Sequence, residues 1–456
     1  TKSGTGNSWA NATASLSDAL QAAKFNSSVT QIWVAKGTYF PIYDARESGS
    51  LACNNTNRNN AFVLVNNVKI YGGFNGTETL VTQRDIAANR TILNGDIGTI
   101  NVQDDNSYHV VISANLIGTA ELDGFDIVNG RGFQTGVSQS VINGIPVFLQ
   151  HGAGINCTNS APRIANCRFI NNVVSNVGEG GGGAIYISAF SQPVISNCVL
   201  QSNQAGLSGG AIFTNTQSEV SINNCTFSNN AALVNGGGAI YVAANCRLSV
   251  DQSTFIQNEG EYGGAILNSI GGQLKLNRTN FTFCDASHGG ALYSNDNSTL
   301  EIDSSAFTQN TANYGAAIES VDNSNVIISF CSFSENSANA FGGAIFANPN
   351  VDGEISDCQF TGNSAALGGN AVQFENGSDV VFLHCQFQNN GVTNPAGTTI
   401  FIFGLSESIV IWSMLECSLP FLGSGHTLVE IIVIGTPPAT MDYGFYGATA
   451  LCTLGR

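Results

Sequence analysis

Apolar and polar residues alternate in short runs along most of this chain, as in Ala184-Ile185-Tyr186-Ile187 and Val194-Ile195-Ser196-Asn197-Cys198-Val199-Leu200. A period of two is the mark of a half-buried strand. The runs return at a fixed interval. One motif is a glycine-alanine-aliphatic step ending at Ile185, Ile212, Ile240, Ile266, Leu292, Ile318 and Ile345, with Asn370-Ala371-Val372 as a degenerate copy, and successive aliphatic residues lie 26 to 28 apart. A second motif pairs an aromatic or leucine residue with an asparagine three positions later: Phe169/Asn172, Leu200/Asn203, Phe227/Asn230, Phe255/Asn258, Phe307/Asn310, Phe333/Asn336, Phe360/Asn363 and Phe387/Asn390, with Cys284 in the asparagine place after Phe281. Two motifs locked in one phase over this many copies define a repeat.

The interval decides the architecture. A repeat of paired helices needs more residues and a period of 3.6. Two or three short strands joined by Gly and Asn corners fill about 27 residues, one circuit of a parallel β-helix. Circuits stack ~4.8 Å apart, so equivalent residues form ladders. The aliphatic series predicts one inward ladder, and Phe227, Phe255, Phe281, Phe307, Phe333, Phe360 and Phe387 a second. The glycines fit a corner needing positive φ. The asparagines fit another corner, where Asn tolerates the left-handed region and its amide reaches the next coil.

Outside 131–396 the repeat fades. Residues 1–130 read as a cap and first irregular coils, with an amphipathic helix at Ser15–Phe25 and strands at Gln31–Ala35, Ala61–Tyr71, Val110–Ala114 and Leu122–Val128. Residues 42–60 and 130–151 read as loops leaving the stack. In 397–456 the phase persists through Ile400 and Leu428, each 28 beyond its predecessor, which predicts two further coils and a candidate assembly surface. The expected fold is all-β: one right-handed parallel β-helix solenoid with a short N-terminal capping helix.

Composition narrows the partners. The 456 residues carry a net charge of −17 with only 15 Lys plus Arg, which disfavours nucleic acid and anionic lipid. No apolar run is long enough to span a bilayer, so no membrane insertion is expected. Few charges and twelve cysteines fit an oxidising, extracellular setting, secreted or at a cell surface. Cys167, Cys198, Cys225, Cys331, Cys358 and Cys385 each stand two residues before the Phe or Leu position, hence on its inward face. Two readings are open: small buried apolar residues, or rung-to-rung disulfides among Cys198, Cys225, Cys331, Cys358 and Cys385, with Cys417–Cys452 as a terminal staple.

Candidate chemistry is thin. Glycoside hydrolysis needs paired carboxylates, and the repeats show none at matching coil positions. Asp104-Asp105 reads as a solvated loop pair. The five histidines, His109, His151, His288, His384 and His426, read as scattered over different coil positions, and no zinc-ligand spacing is present. The expectation is therefore no enzyme, no cofactor and no metal. Asn-x-Ser/Thr sequons at Asn11, Asn26, Asn54, Asn75, Asn89, Asn156, Asn224, Asn277, Asn280, Asn297 and Asn376 are glycosylation candidates. Parity places Asn224 and Asn280 outward.

The repeats resemble those of the polymorphic outer-membrane protein family of chlamydial surface adhesins. The segments Ser8–Ala12, Leu16–Ala23, Ile32–Tyr39, Tyr71–Phe74 and Thr91–Asp96 resemble the start of secreted β-helices of the pectate-lyase-like superfamily. The resemblance implies a surface or secreted β-helix with binding or structural duty. No C-terminal barrel segment like that of the chlamydial family is seen. The expected function is an extracellular structural or adhesive scaffold, a candidate glycoprotein stacking head-to-tail into a fibre, whose partners are itself, other surface proteins or glycans. The alternative is a carbohydrate-binding or polysaccharide-degrading β-helix.

Overall fold

The computed structural model describes residues 4–46, 53–133, 138–175, 180–375 and 377–391, and the backbone of 400–402, 411–417 and 427–430. The chain is an all-β, right-handed parallel solenoid with turns of ~27 residues and a short N-terminal helix. Three sheets run along it: one carries the aliphatic ladder (the Ile sheet), one the Phe ladder (the Phe sheet), and a third follows the asparagine corner. The chain divides into two compact units, Thr1–Leu248 and Ser249–Arg456.

In the first unit the helix spans Leu16–Phe25. Ser15 caps it by accepting the Asp18 N–H at 3.2 Å, and Leu16, Leu20 and Ala23 are buried. It lies against Phe62–Val63, the first strand of the Ile sheet. Parallel stacking is already present at the start: Gln31–Ala35 pairs with Lys69–Phe74, which pairs with Glu121–Asp123. Two expected strands are each divided. Ala61–Tyr71 separates into Phe62–Val63 and Lys69–Phe74, with Asn67 at φ 60° between them. Leu122–Val128 separates into Glu121–Asp123 and Asp126–Val128, because Gly124 at φ 88° turns the backbone. Farther on, Ile155, Ile185, Ile212 and Ile240 stand in register, as do Ile127, Phe169, Leu200 and Phe227. An antiparallel hairpin, Gln139–Ile142 with Ile145–Phe148, leaves the stack.

In the second unit Ile266, Leu292, Ile318, Ile345 and Val372 form one register row, all nearly inaccessible. The rings of Phe255, Phe281, Phe307, Phe333, Phe360 and Phe387 stack with centroids 4.7–5.0 Å apart and planes within 9°. Each fully buried ring removes apolar surface worth ~1.5–3 kcal/mol, and stacking adds ~0.5–1.5 kcal/mol. The asparagines form a polar ladder beside them. Asn336 donates from its backbone N–H and its Nδ2 to Asn363 Oδ1, at 3.1 and 2.9 Å, and from Nδ2 to Phe307 O at 3.0 Å. No amide is left unpaired in a place where an orphan would cost ~1–3 kcal/mol. The left-handed residue at this corner is not the ladder asparagine. It is the one before it: Gln309, Glu335 and Asn389, at φ 53–55°. The ladder asparagine turns its side chain inward instead.

Two expectations change at the far end and in the core. Ile400 registers on Val372, and Ile411–Cys417 pairs in parallel with Asp379–Gln388. Thr427–Glu430 then runs antiparallel to Ile411–Cys417, with Leu428 opposite Glu416, so Leu428 starts no further coil. The disulfide expectation is also corrected. All ten described cysteines are free thiols, including Cys198, Cys225, Cys331, Cys358 and Cys385. Their side chains leave successive rungs in parallel, so Cβ atoms stay near the ~4.8 Å rung spacing rather than the 3.5–4.5 Å a disulfide needs. Each ladder Sγ donates to a carbonyl instead, as Cys331 does to Ser329 O at 3.1 Å and Cys358 to Ser356 O at 3.1 Å. Burial pushes the Cys157 thiol up to about 12 and the Cys284 thiol up to about 11. The Cys417–Cys452 staple lies outside the residues whose side chains are described.

Candidate functional site

The glycine corner separates the third sheet from the Ile sheet, and each coil places one outward residue on either side of it. In the second unit the residue before the glycine step forms the row Tyr262, His288, Tyr314, Phe341. The residue after the aliphatic rung forms the row Leu267, Tyr293, Glu319, Phe346, Gln373. The corner holds the two rows close. Gly289 sits at φ 58°, and a Cβ there would lie 2.1 Å from Leu292 O, so only glycine makes this turn.

The rings interlock across the crease. Tyr262, His288 and Tyr314 stack at 5.0 and 5.2 Å with planes 13° apart. Tyr293 meets Tyr262 edge-on at 5.0 Å, and Phe346 lies 5.5 Å from Tyr314. At the centre, His288 Nδ1 lies 3.1 and 3.0 Å from the two Glu319 carboxylate oxygens. The Glu319 side chain is 5% exposed and that of His288 is 32%. The hydrogen bond to Glu319 raises the His288 pKa above its ordinary 6.5, and burial raises that of Glu319 above 4.5 against the pull of His288. Both shifts favour the protonated form, so the pair retains a proton to higher pH than either group would alone. Burial also raises the Tyr293 phenol, with the Glu319 charge second.

Because the rings stack along the axis, their faces are spent on one another. All four rings of the row are half-buried, and two of them, Tyr262 and Tyr314, carry a hydroxyl beside the carboxylate–imidazole pair. Such a surface offers donors and acceptors beside apolar ring edges.

The first unit has the same corner, closed. His151 stacks on Tyr186 at 4.5 Å and 13°, and Tyr186, Phe213 and Tyr241 follow in the outer row. The hairpin's Phe148 meets His151 edge-on at 6.1 Å. Tyr186 is 2% exposed, and its hydroxyl accepts from Asn215 Nδ2 at 3.2 Å. His151 Nδ1 accepts the Gly181 N–H at 3.0 Å, and burial lowers its pKa to about 4. His151 and His288 both immediately precede a glycine step, His151-Gly152-Ala153-Gly154-Ile155 and His288-Gly289-Gly290-Ala291-Leu292. They are not at unrelated coil positions, as expected from sequence. His109 is wholly buried, is also lowered to about 4, and places Nδ1 2.9 Å from Gly152 O. His384 faces Asp357 at 3.6 Å on the surface, and His426 lies outside the described residues.

A second charged cluster, unseen in the sequence, lies in the first coils. Glu121, Asp123 and Asp126 share one coil. Arg84 reaches Asp123 at 2.7 Å, Arg90 pairs with Asp126, and Arg163 and Lys69 flank Glu121 at 3.4 and 3.7 Å. Each carboxylate is thus neutralised by a cation, and the group serves as an ion-pair network. Asp104 faces Arg131 at 3.7 Å, and Asp105 accepts the Thr99 N–H at 2.8 Å, so this acidic pair holds its loop. Among the described residues no group of three His, Cys, Asp or Glu is arranged to hold a metal.

The sequons divide by exposure. Asn11, Asn26, Asn54, Asn75, Asn224, Asn280 and Asn297 are exposed, and Asn89 and Asn277 are half-buried. Asn156 is fully buried, its Nδ2 donating to His151 O at 3.1 Å, and is struck from the acceptor candidates. Asn376 lies outside the described residues.

The comparisons with known proteins concern the fold. Residues 263–412 match the family "Right handed beta helix region", and residues 224–243 match the Chlamydia polymorphic membrane protein repeat. The chain is a right-handed parallel β-helix with a polymorphic-membrane-protein type of repeat, consistent with the pectate-lyase-like superfamily. No curated protein matches it in sequence. Among solved structures it is similar to PfbA, a surface adhesin of Streptococcus pneumoniae, at 13% identity and TM-score 0.41, covering 92% of this chain and 95% of that one. It is also similar to the catalytic domain of a GH87 α-1,3-glucanase in complex with nigerose, at 10% identity and TM-score 0.45, over 87% of this chain and 67% of that one. A third is the catalytic unit of a GH87 α-1,3-glucanase from Streptomyces thermodiastaticus, at 12% identity and TM-score 0.35, over 86% and 62%. Two of these three structures are catalytic units, so the expectation that the chain is not an enzyme is withdrawn, and no activity passes to this chain from matches at 10% and 12% identity and TM-scores of 0.45 and 0.35. Among the described residues no helix is long and apolar enough to cross a membrane.

Proposed function

We propose that this is an extracellular or cell-surface β-helix protein that engages carbohydrate along the open face around His288 and Glu319. The observation that carries the proposal is the half-exposed line of aromatic edges and hydroxyls from Tyr262 to Phe341 over one buried carboxylate–imidazole pair. Sugars present hydroxyls and apolar C–H faces together, and this face offers partners for both. The scarcity of cations, 15 Lys plus Arg in 456 residues, turns the reading away from phosphate-rich ligands. The adhesin-type repeat supports a surface setting.

Cleavage of the bound glycan is a second reading with one observation in its favour. Glu319 is a buried carboxyl whose pKa burial raises and which an imidazole touches, the direction in which a general acid is tuned. Head-to-tail fibre assembly has less support, because an antiparallel strand, Thr427–Glu430, meets the edge strand Ile411–Cys417 on which another copy would add.

Affinity electrophoresis of the intact chain through gels holding neutral glucans, mannans and xylans tests the proposal. Retardation by at least one, weakened in Tyr314→Ala, is expected. Unaltered migration in all of them would sink the reading, and reducing-end release that is absent in Glu319→Gln would establish cleavage.

A further inference from the structure

The first unit holds a second concave surface, at the corner between the Phe sheet and the third sheet and away from the glycine corner. It encloses about 350 Å³, within the range of small-molecule sites. Its floor is the row Arg131, Val173, Gln204, Ala231, in register on successive coils. Its wall is made by the residues that turn this corner. Asn129, Asn171, Ser202 and Asn229 all sit at φ 52–59°, and Asn171 and Asn229 are exposed with no side-chain partner among the described residues. The turn at Gln103–Asp105 closes one end. There Arg131 Nη1 donates to Gln103 Oε1 at 2.9 Å, and Asn106 Nδ2 donates to Asn129 O at 2.8 Å. Asn106 is 4% exposed, and its Oδ1 has no protein partner.

We infer that this niche is a binding site for a neutral, hydroxyl-rich ligand, namely a short stretch of uncharged oligosaccharide lying along the coils. The lining is dominated by amides. An amide carries a donor and an acceptor in one plane, which suits a vicinal pair of hydroxyls and suits neither an apolar ligand nor a multiply charged one. The single cation, Arg131, already faces Asp104 at 3.7 Å, so no strong anion is called for. Asn171 and Asn229 are two coils apart, ~9.6 Å at the rung spacing, enough for two adjoining sugar rings to take one amide each. The orphaned Asn106 Oδ1 supplies an acceptor at the closed end. The site shares no residue with the open face at His288.

The test uses the intact chain in a Tyr314→Ala/Glu319→Gln background, which silences the open face. Saturation-transfer NMR and calorimetry with cellotetraose, laminaritetraose and maltotetraose then read the niche alone. Binding of at least one is expected to persist and to weaken roughly tenfold or more when Asn171→Gly and Asn229→Gly are added, with a nearly unchanged melting temperature because both side chains are exposed and glycine also takes the left-handed backbone. No binding in the silenced background, or binding indifferent to the two amides, would overturn the inference. Failure of the open-face reading shows separately, as Tyr314→Ala/Glu319→Gln binding that equals wild type.

Discussion

The His151 corner and the His288 corner begin from the same local design and end with opposite chemistry. Each places a histidine before a glycine step and stacks it on a tyrosine at 13°. At His151 the neighbouring hairpin brings Phe148 edge-on to the ring, Tyr186 and Phe213 are buried, and among the described residues the polar partner of Nδ1 is the Gly181 N–H. A donor at that nitrogen leaves no room for a proton, so the imidazole stays neutral. At His288 the next coil supplies Glu319 in a row whose other members are aromatic, leucine or glutamine side chains, and the pair retains a proton. What separates a core histidine from a site histidine is thus the partner across the corner and whether an excursion of the chain covers it.

The comparison can be broken most severely by removing the rings. Tyr186→Ala in the closed corner should cost about 3–5 kcal/mol, as for other buried aromatics, whereas Tyr314→Ala in the open corner should cost about 1–2 kcal/mol. Urea titration of both variants checks this, and equal losses would erase the distinction between structural and functional faces. Ligand binding comes next. Tyr314→Ala should weaken glycan retardation roughly tenfold, while Tyr186→Phe should leave it unchanged.

The pH dependence should carry opposite signs. The folded His288 pKa lies above 6.5, so its pairing stabilises fully below that pH and is lost as pH rises through the folded value. The raised Glu319 pKa adds to the same slope, since above 4.5 the unfolded chain has released a proton that the folded one keeps. His109 and His151, lowered to about 4, act the other way: stability falls as pH drops from 6.5 toward 4, where only the unfolded chain is protonated. Melting curves from pH 4 to 9 should therefore show Glu319→Gln flattening the alkaline side and leaving the acid side intact. The smallest effect is expected from reductant. With free thiols along the Cys331, Cys358 and Cys385 ladder, the melting temperature should be the same with and without dithiothreitol.

Much of the solenoid was legible because its ladders repeat identical choices. The isoleucine and phenylalanine rows needed only a period, and the capping helix needed only Ser15 ahead of Leu16, Leu20 and Ala23. The asparagine corner was located one residue late, since the left-handed residue varies from coil to coil while the inward asparagine is what recurs. The site had a signal that periodicity does not report. The residue after the aliphatic rung reads Tyr186, Phe213, Tyr241, Leu267, Tyr293, Glu319, Phe346, Gln373, and Glu319 is the one acid among them. A deviation within a ladder, rather than the ladder itself, marks it.

The sequence by itself determined the coil length, the identity of the inward rows and the parallel stacking, because those follow from alternation and a repeat of 26 to 28 residues. It could not decide that His288 meets Glu319, 31 residues on, since one coil plus a corner separates them and the corner's path sets which outward rows touch. Nor could it decide that the Cys ladder stays reduced, or that His151 lies beneath a hairpin while His288 faces solvent. Those outcomes depend on side-chain direction between rungs and on where an excursion folds back, which only the tertiary structure decides.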